Sequence, residues 1–435
     1  MTYREAVARI LALRGGEMAG MHPGLERIEA LLAAIGNPER AFRIAQVGGT
    51  NGKGSVSAML AGTLLAAGKR VGLYTSPHLC DFSERIRVDG RAIPEADVVD
   101  GVEAIGTLVA RLDATMFEAT TALCLDHFAS QGVEVAVLEV GLGGRLDATT
   151  VGLPAVEVVS RIDYDHQAYL GGTLGEIAAE KAAIIRSGIA VAARQEPEAA
   201  SVLLRRAALV GVPLLMVGRD LYASVSSFTL EGQRLDLAGP GWRLDDVLCR
   251  LLGVFQPENA LLAAAAAREL GAGADAIRRG LATVEWPGRF QILRRDPIVI
   301  LDGAHNPAGA RALAASLTAY FPGQALTLVL GISADKDQGG ILGALAPLAT
   351  RLILTAYSSA RAASPAALRA ALPPGLMQVQ TQVETAGSLR EALSLAVAPP
   401  RTPVLCVAGS LYLVGEALAQ AREKQDILGG LGAAG

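Results

Sequence analysis

Short apolar runs alternate along the chain with alanine-rich stretches that have helical spacing. The runs are rich in β-branched residues and leucine and occupy residues 42–47, 70–74, 133–140, 156–161, 189–193 and 212–217. Strand-length runs separated by helices are typical of a mostly parallel sheet with helices on its faces. The pattern therefore predicts an α/β fold for this part of the chain.

The pattern changes after residue 220 and then restarts. Apolar and polar residues alternate from Leu221 to Leu237 around a Glu231-Gly232 turn, which predicts a small antiparallel appendix. The next predicted elements are helices at about 259–270 and 274–283 and strands at 297–301, 325–331, 351–356 and 403–407. Since a single core stops growing at roughly 250–300 residues, we expect two domains. They cover residues 1–290 and a smaller α/β domain at 291–428, before a flexible tail at 429–435.

A glycine-rich run lies between the first predicted strand and a helix-like stretch at residues 56–67. It reads Gly48-Gly49-Thr50-Asn51-Gly52-Lys53-Gly54-Ser55. Glycines after a strand let successive backbone N–H groups point into one concavity, and the next helix directs its positive end there. The usual phosphate-loop pattern has glycine in place of Val47 and Ser or Thr in place of Gly54. A tight turn that binds nothing is the alternative, but the lysine framed by glycines favours a nucleoside triphosphate site.

Composition excludes several classes of protein. The 435 residues carry a formal charge of -4, which argues against a general nucleic-acid binder. No apolar run approaches the ~18 residues of a membrane span, and no signal peptide is evident. The cysteines are far apart without metal-site spacing, at Cys80, Cys124, Cys249 and Cys406. We expect a soluble, cytoplasmic protein with reduced cysteines.

Polar residues follow several of the predicted strands, where ligands gather in open α/β sheets. Ser76 follows the second run, Glu139 lies near the end of the third and His166 follows the fourth. A carboxylate in an apolar strand is costly unless it is paired. Mg²⁺ on a triphosphate could pair with Glu139, and the alternative is a salt bridge to Arg145 or Arg161. His166 could equally be a core or capping histidine.

Long motifs run in order along nearly the whole chain. They are Gly49-Thr50-Asn51-Gly52-Lys53-Gly54-Ser55, Thr75-Ser76-Pro77-His78-Leu79 with Glu84-Arg85-Ile86, Leu138-Glu139-Val140-Gly141-Leu142-Gly143-Gly144-Arg145-Leu146-Asp147-Ala148-Thr149, Asp165-His166 with Glu180-Lys181-Ala182, Trp286-Pro287-Gly288-Arg289, Leu301-Asp302-Gly303-Ala304-His305-Asn306-Pro307, Asp335-Lys336-Asp337 and Gly409-Ser410-Leu411-Tyr412-Leu413-Val414-Gly415. With these motifs the chain resembles the folylpolyglutamate synthase family of the Mur ligases. It departs at Phe255, where family members often carry His before Gln, but retains Asn259.

The resemblance implies a P-loop Mur-ligase-type central domain and a smaller Rossmann-like C-terminal domain. It also implies ATP-dependent amide formation, with glutamate added to dihydropteroate and to reduced folates through an acyl phosphate. A ligase with only one of these activities is the alternative. Another Mur-type ligase, one that uses UDP-sugar peptides, fits less well, because the N-terminal stretch from Met1 to Arg40 is too short for a separate UDP-binding domain. A P-loop ATPase switch would not need the second domain. The expected partners are small molecules, with no nucleic acid or membrane, and the expected state is a monomer.

By the same resemblance, the site residues receive roles. Those for ATP are Thr50, Asn51, Gly52, Lys53, Gly54, Ser55, Asn259, Arg289 and Asp302. Those for two Mg²⁺ sites are Ser76, Glu139, His166 and Lys181. Those for folate or glutamate are His78, Phe82, Arg85, Phe117, His305, Ser410 and Tyr412. The catalytic set is Lys53, His166, Lys181, Arg289, Asp302 and His305. Lys181 would ligate metal as a carbamate, whereas the residue alone suggests a surface helix lysine paired with Glu180 or a neighbour. Phe82 could instead be loop packing, and Glu118 could simply favour a helix N-terminus.

Overall fold

A computed structural model describes residues 1–14, 24–374 and 381–422. The predicted tail at 429–435 and the last residues of the predicted second domain lie outside the described residues. The chain forms two compact units. Unit 1 comprises Met1–Ser227, Arg234–Arg250 and Pro257–Val284, and unit 2 comprises Phe228–Gln233, Leu251–Gln256 and the chain from Glu285 onwards.

The elements alternate along the chain much as the apolar pattern predicts. The strands are β1 (Arg43–Gly48), β2 (Val71–Tyr74), β3 (Ile86–Val88), β4 (Arg91–Ala92), β5 (Val135–Glu139), β6 (Pro154–Val159), β7 (Ile189–Ala192), β8 (Leu214–Met216), β9 (Tyr222–Thr229), β10 (Gly232–Gly239), β11 (Trp242–Cys249), β12 (Gln291–Arg295), β13 (Ile298–Asp302), β14 (Leu326–Leu330), β15 (Arg351–Thr355), β16 (Gln382–Ala386) and β17 (Val404–Ala408). The helices are α1 (Tyr3–Leu11), α2 (Glu26–Ala34), α3 (Lys53–Ala66), α4 (Glu95–Leu112), α5 (Met116–Ser130), α6 (Gln167–Leu170), α7 (Leu174–Ala182), α8 (Pro197–Val210), α9 (Gln256–Glu269), α10 (Ala274–Thr283), α11 (Pro307–Tyr320), α12 (Gln338–Leu345), α13 (Pro365–Ala370), α14 (Leu389–Val397) and α15 (Leu411–Arg422). Short 3₁₀ turns lie at Pro38–Arg40, Phe82–Arg85 and Ala346–Leu348.

The large sheet of unit 1 has the strand order β4-β3-β2-β5-β1-β6-β7-β8. The strands from β2 to β8 in this order are parallel, and β3 and β4 extend the β2 edge antiparallel. The predicted mostly parallel sheet is confirmed. Strands β3 and β4 were not predicted, because two- and three-residue edge strands carry too little apolar pattern.

Helix α3 follows the glycine-rich run and is buried on most of its surface. It contacts β1, β2 and β5 of the sheet on one side and α10 on another. The two helices approach closely, since a Cβ added to Gly280 would lie 2.4 Å from the Thr63 Cα. A helix buried between a sheet and a second helix holds its N-terminus, and hence the loop before it, in one place.

Unit 2 contains a six-stranded sheet in the order β12-β13-β17-β14-β15-β16. Strands β13, β17, β14, β15 and β16 are parallel and β12 is antiparallel to β13. This matches the predicted second α/β fold. The predicted antiparallel appendix is a three-stranded sheet, β11-β10-β9, and its third strand was not predicted. Within the described ranges, no helix is long and apolar enough to cross a membrane.

Candidate active site

The glycine-rich loop between β1 and α3 depends on residues without a side chain. Gly49 has a φ of 132° and Gly52 a φ of 93°, both in the region that favours glycine. A Cβ on Gly49 would lie 2.1 Å from the Ser160 Oγ, and one on Gly52 would lie 2.6 Å from the Asn259 Oδ1. The loop therefore needs glycine for its backbone angles and also for its neighbours. The same measurement places Asn259, from α9, directly against the loop.

Thr50 fastens this loop to the segment that follows β6. Its Oγ1 donates to the Asp163 carbonyl oxygen at 3.0 Å, and the Asp163 N–H lies 3.1 Å from the same Oγ1. The Arg161 carbonyl accepts from the backbone N–H groups of Thr50 at 2.9 Å and Asn51 at 3.3 Å. Gly54 and Ser55 are buried in the first turn of α3. Of the six predicted ATP residues in this loop, five are therefore held in place by backbone angles, by burial or by contacts to the segment after β6.

Lys53, the sixth, folds its side chain back over the loop. Its Nζ donates to the Thr50 carbonyl at 3.1 Å and to the Gly49 carbonyl at 3.3 Å. Phosphate oxygens are stronger partners for an ammonium group than neutral carbonyls are. The lysine is thus positioned at the loop with neutral carbonyl partners that an anionic phosphate could replace.

Lys181 of α7 also donates a hydrogen bond to the Gly49 carbonyl. The side chain is buried, and its Nζ donates to the Gly49 oxygen at 2.9 Å. Burial, together with the nearby positive charge of Lys53, lowers the pKa of Lys181 to about 7. Glu180 meanwhile pairs with Arg145 at 2.9 Å. The surface lysine paired with Glu180 is therefore wrong as a description of Lys181.

Glu139 ends β5 beside these lysines' loop. It is buried, and one of its carboxylate oxygens accepts the Ser76 N–H at 3.2 Å. The arginines proposed as its salt-bridge partners have other acidic partners: Arg145 pairs with Glu180, and Arg161 pairs with Glu196 at 3.2 Å. Strand β5 lies between β1 and β2, so the carboxylate and Ser76 come from adjacent strand ends.

His166 occupies a strained position after β6. Its φ is 52°, and its N–H donates to the Asp165 Oδ1 at 2.9 Å, while its Nε2 lies 3.8 Å from the Asp165 Oδ2. The negative charge of Asp165 also acts to raise the pKa of Lys181, against the larger effect of burial. A non-glycine residue in this region of φ is held by its surroundings and is frequent at functional sites.

The segment that follows β5 is supported by a residue that was quoted in a motif but given no role. Asp147 is buried, and its carboxylate accepts the N–H of Leu142 at 2.9 Å, the N–H of Thr149 at 2.9 Å and the Thr149 hydroxyl at 2.5 Å. Burial raises its pKa. The signal in the sequence is an Asp two residues before a Thr, which is typical of a side chain that closes a turn.

The predicted folate residues after β2 form a compact group. The Arg85 Nε donates to the His78 Nδ1 at 2.8 Å, and the Arg85 guanidinium lies 5.7 Å from the centre of the Phe82 ring. Burial, and then the charge of Arg85, lowers the pKa of His78 to about 4. Phe82 and Arg85 are themselves buried, so Phe82 packs within the loop.

Phe117 lies near the strand end that carries Glu139. Its ring is 5.8 Å from Tyr74, and a Cβ on Gly141 would lie 2.7 Å from it. The neighbouring Glu118 forms a capping box with Thr115 and an ion pair with Arg27 at 3.1 Å. Glu118 thus has the helix-terminal role that was its alternative reading.

Unit 2 places its predicted residues at the ends of β13 and β17. The buried Asp302 carboxylate accepts the N–H groups of Phe290 and Ala304, each at 2.8 Å. Burial raises the pKa of Asp302 although the charge of Arg289 opposes the shift. The His305 Nδ1 lies 2.8 Å from the Gly303 carbonyl oxygen.

Ser410 and Tyr412 lie where β17 leads into α15. Ser410 is buried, and its Oγ accepts the Tyr412 N–H at 3.2 Å. Because β17 pairs with β13 as far as Asp302 and Ala408, this group and the Asp302 group share one edge of the unit 2 sheet.

Of the predicted metal ligands Ser76, Glu139, His166 and Lys181, two are His, Cys, Asp or Glu residues. Across residues 1–14, 24–374 and 381–422, no group of three or more His, Cys, Asp or Glu residues is arranged to hold a metal ion. A metal site at Glu139 and His166 would therefore need further ligands that are not His, Cys, Asp or Glu side chains.

Two family models match most of the chain. Residues 47–267 match the Mur ligase middle domain, and residues 288–411 match the Mur ligase glutamate ligase domain. A dihydrofolate synthase/folylpolyglutamate synthase of Mycobacterium tuberculosis is 38% identical over 401 residues, covering 86% of this chain and 82% of that protein. A structure of E. coli FolC in complex with DHPP and ADP has a TM-score of 0.87 at 31% identity and covers 96% of this chain and 97% of that one.

A further relative is longer. A probable bifunctional folylpolyglutamate synthase/dihydropteroate synthase of Haloferax volcanii is 39% identical over 432 residues. The match covers 96% of this chain but 50% of that protein, so the chain spans half the length of this relative.

Proposed function

The chain belongs to the folylpolyglutamate synthase/dihydrofolate synthase family of ATP-dependent ligases, and we propose that it joins L-glutamate to dihydropteroate and to reduced folates. The observation that carries the proposal is the glycine loop at the N-terminus of α3, over which the Lys53 side chain folds back to the Gly49 and Thr50 carbonyls. A glycine loop with a lysine at a helix N-terminus suits a polyphosphate. That the protein is a cytoplasmic monomer without nucleic-acid or membrane partners stays a prediction.

The chemistry explains why ATP is needed. A carboxylate is a poor electrophile, so its oxygen first attacks the γ-phosphorus of ATP and ADP leaves, which gives an acyl phosphate. The glutamate amine then adds to the acyl carbon, loses a proton, and the tetrahedral intermediate expels inorganic phosphate. We assign the ATP phosphates to the N–H groups of Gly52, Lys53 and Gly54 and to the Lys53 side chain, with Asn259 bordering the loop. That Arg289 and Asp302 of unit 2 contact the nucleotide stays a prediction.

The donors near the loop suit Mg²⁺. This ion is typically held by one or two carboxylates together with substrate phosphates and water, and Glu139 and the Ser76 hydroxyl are oxygen donors of that kind. When bound, Mg²⁺ would neutralise charge on the phosphates during transfer. The small number of protein carboxylates here fits an ion that the nucleotide helps to hold.

We further propose that Lys181 carries a carbamate, which with Glu139 and His166 would serve a second Mg²⁺. In this reaction the neutral Nζ attacks the carbon of CO₂ and releases one proton, which leaves an anionic oxygen ligand. A pKa of about 7 supports this step, because much of the amine is then neutral near pH 7. As an ammonium group Lys181 could not ligate a metal.

The second substrate is assigned to unit 2. We place L-glutamate with His305, Ser410 and Tyr412 at the edge of the sheet that ends in Asp302. The folate substrate is assigned to unit 1, with His78 and Arg85 in the loop after β2 and Phe117 on α5. Phe82 supports this loop by packing.

Mass analysis of the product tests the proposed function. Purified protein is supplied with Mg-ATP and L-glutamate, and either dihydropteroate or tetrahydrofolate is added. Addition of glutamate to both acceptors is the expected result, and addition to one alone would select a monofunctional ligase. ADP release that needs no acceptor would instead indicate an ATPase switch.

The carbamate has its own test, which does not use turnover. Protein equilibrated with ¹³C-labelled bicarbonate should give a carbamate carbon signal by NMR that is missing in Lys181→Met. Lys69→Ala, near the far end of α3, is the matched control and should retain the signal. An identical signal in wild type and Lys181→Met would exclude this assignment.

A further inference from the structure

Three segments of unit 2 carry a connected cluster, and Tyr412 is the member of it to which the proposed mechanism gives a role. Strand β14 lies between β17 and β15, and all three are parallel. The loops that follow them therefore leave the same edge of the sheet. The cluster consists of Ser333 and Asp335 from the loop after β14, Tyr357 and Arg361 from the loop after β15, and Tyr412 from the start of α15, which follows β17.

Tyr357 and Tyr412 form a stacked pair of rings in this cluster, which we call the wall. The Tyr357 and Tyr412 rings are stacked at 6.1 Å with an angle of 11° between their planes. The Tyr357 hydroxyl lies 2.6 Å from the buried Ser333 Oγ. The Ala334 N–H also donates to the Arg361 carbonyl at 2.8 Å, which joins the first two loops through their backbones. The wall is thus fixed by contacts from all three segments.

Arg361 lies against this wall. One of its terminal nitrogens, Nη2, contacts both carboxylate oxygens of Asp335, at 3.1 and 3.2 Å. The other, Nη1, makes a 3.4 Å hydrogen bond to the Tyr412 hydroxyl, and the guanidinium carbon is 5.6 Å from the centre of that ring. The side chain keeps 30% of its surface exposed. Asp335 therefore orients the planar guanidinium group through a single nitrogen, Nη2. The other terminal nitrogen, Nη1, makes only the long hydrogen bond to Tyr412.

We propose that Arg361 binds a carboxylate of the incoming L-glutamate, an inference that rests on the proposed function. An arginine fork matches a carboxylate in geometry as well as in charge, and an ion pair on the other nitrogen orients it before the substrate arrives. The residue shares its cluster with Tyr412, and Ser410 precedes Tyr412 on the same turn. L-Glutamate carries two carboxylates, and one cation can account for only one of them. Arg361 is thus a specificity residue for the amino-acid substrate.

A purely structural role makes a different prediction. If Arg361 only fastens the loops after β14 and β15, then removing Asp335 or Arg361 breaks the same ion pair and both changes should have similar effects. If Arg361 binds substrate, its charge is needed whether or not Asp335 is present. Comparison of Arg361→Met with Asp335→Asn therefore separates the two roles.

The experiment measures the KM for L-glutamate together with inhibition by two analogues. 4-Aminobutyrate lacks the α-carboxylate and L-glutamine lacks the γ-carboxylate charge. We expect Arg361→Met to raise the glutamate KM by about 10- to 100-fold, the cost of one hydrogen bond to a charged group. The analogue that lacks the bound carboxylate should bind Arg361→Met and wild type within about 3-fold, whereas the other analogue should weaken as glutamate does. Arg361→Lys should recover part of the loss, and Asp335→Asn, which removes only the orienting contact, should raise the KM much less than Arg361→Met does.

Two results would overturn the inference. One is a glutamate KM that Arg361→Met leaves unchanged, and the other is an equal loss for Asp335→Asn and Arg361→Met with all three compounds. Both require that the wild type adds glutamate to a folate acceptor. If it adds none, the proposed function itself has failed, so the two failures are distinguishable.

Discussion

Both units gather polar residues at the carboxyl ends of parallel strands, but they hold those residues in different ways. In unit 1 the edge is shaped by backbone: Gly49 and Gly52 have positive φ, and Lys53 and the buried Lys181 donate to loop carbonyls. In unit 2 the edge is shaped by side chains: Tyr357 stacks on Tyr412, and Arg361 lies against them. The glycine loop of unit 1, which we call the backbone cradle, suits phosphates because backbone N–H groups can bind them. Oriented side chains instead suit a substrate that must be distinguished from similar amino acids.

The largest expected effect comes from removing the positive charge of Lys53 from the backbone cradle. Lys53→Ala should lower the ligation rate by about 10²- to 10³-fold, the range for loss of one group that stabilises developing charge. It should also weaken the binding of a non-hydrolysable ATP analogue, measured by calorimetry, and leave the fold intact by circular dichroism. Lys69→Ala is the control. Normal nucleotide binding by Lys53→Ala would mean that the loop is only a strand-to-helix turn.

The second prediction asks whether the cradle depends on glycine for steric reasons. In Gly49→Ala the new Cβ meets Ser160, including backbone atoms at 3.0 Å, so we expect a loss of stability of about 1–3 kcal/mol and weaker nucleotide binding. Gly68 also has a positive φ, 79°, but nothing lies within 4 Å of its Cβ position. Gly68→Ala should therefore cost only the backbone term, about 1 kcal/mol, with no effect on nucleotide. Equal effects of the two changes in urea unfolding and calorimetry would contradict this view.

The third prediction concerns the buried lysine of the same cradle. Because the pKa of Lys181 is about 7 in the folded chain and 10.5 ordinarily, the unfolded chain holds a proton between these values that the folded chain has lost. Stability therefore rises with pH through this window, and below pH 7 the full cost of burying the ammonium group remains. In CO₂-free buffer, Lys181→Met should be more stable than wild type by up to a few kcal/mol at about pH 6. Its advantage should shrink toward about pH 9.

Denaturant unfolding at several pH values measures this difference. Lys69→Met controls for the loss of a lysine. A Lys181→Met advantage that does not change with pH would mean that the buried amine is not perturbed as the contacts indicate.

The two edges also differ in how far they could be predicted. The unit 1 cradle could be predicted because each of its parts lies in a continuous stretch of sequence. The glycine run directly follows a predicted strand, and Glu139 lies near the end of another. The burial of Lys181 was not, because its neighbour Glu180 offers a plausible partner and only the fold shows that Arg145 takes that partner. A helical lysine faces inward or outward according to tertiary packing, which one sequence does not specify.

The cluster around Arg361 could not be predicted for a related reason. Its members come from segments after three strands and meet only because β14 lies between β15 and β17. The two edge strands of the unit 2 sheet escaped prediction as well: β16 is partly exposed and polar, and β12 is antiparallel with little apolar pattern. Apolar periodicity reports strands that are buried on both faces, and it loses its signal where one side meets water.

The smallest expected effect tests the side-chain wall of unit 2. Tyr357→Phe keeps the ring stacked on Tyr412 but removes the hydroxyl that lies 2.6 Å from the buried Ser333 Oγ. We expect a loss of stability of about 1–2 kcal/mol, because the serine loses its partner, and a glutamate KM only a few-fold higher. ATP-analogue binding should be unchanged, since the cradle belongs to unit 1.

A double-mutant cycle gives this last prediction its control. Ser333→Ala alone should cost about as much as Tyr357→Phe, and the two changes together should cost little more than either one, because removing both partners leaves no buried polar atom unsatisfied. Urea unfolding measures the stability of all four proteins. Fully additive losses in the free energy of unfolding would show that the two hydroxyls are not coupled. The stacking of the rings, and not this hydrogen bond, would then hold the wall in place. A change in nucleotide affinity would contradict the distinction between the two edges, because it would make a side-chain contact of unit 2 part of the backbone cradle's function.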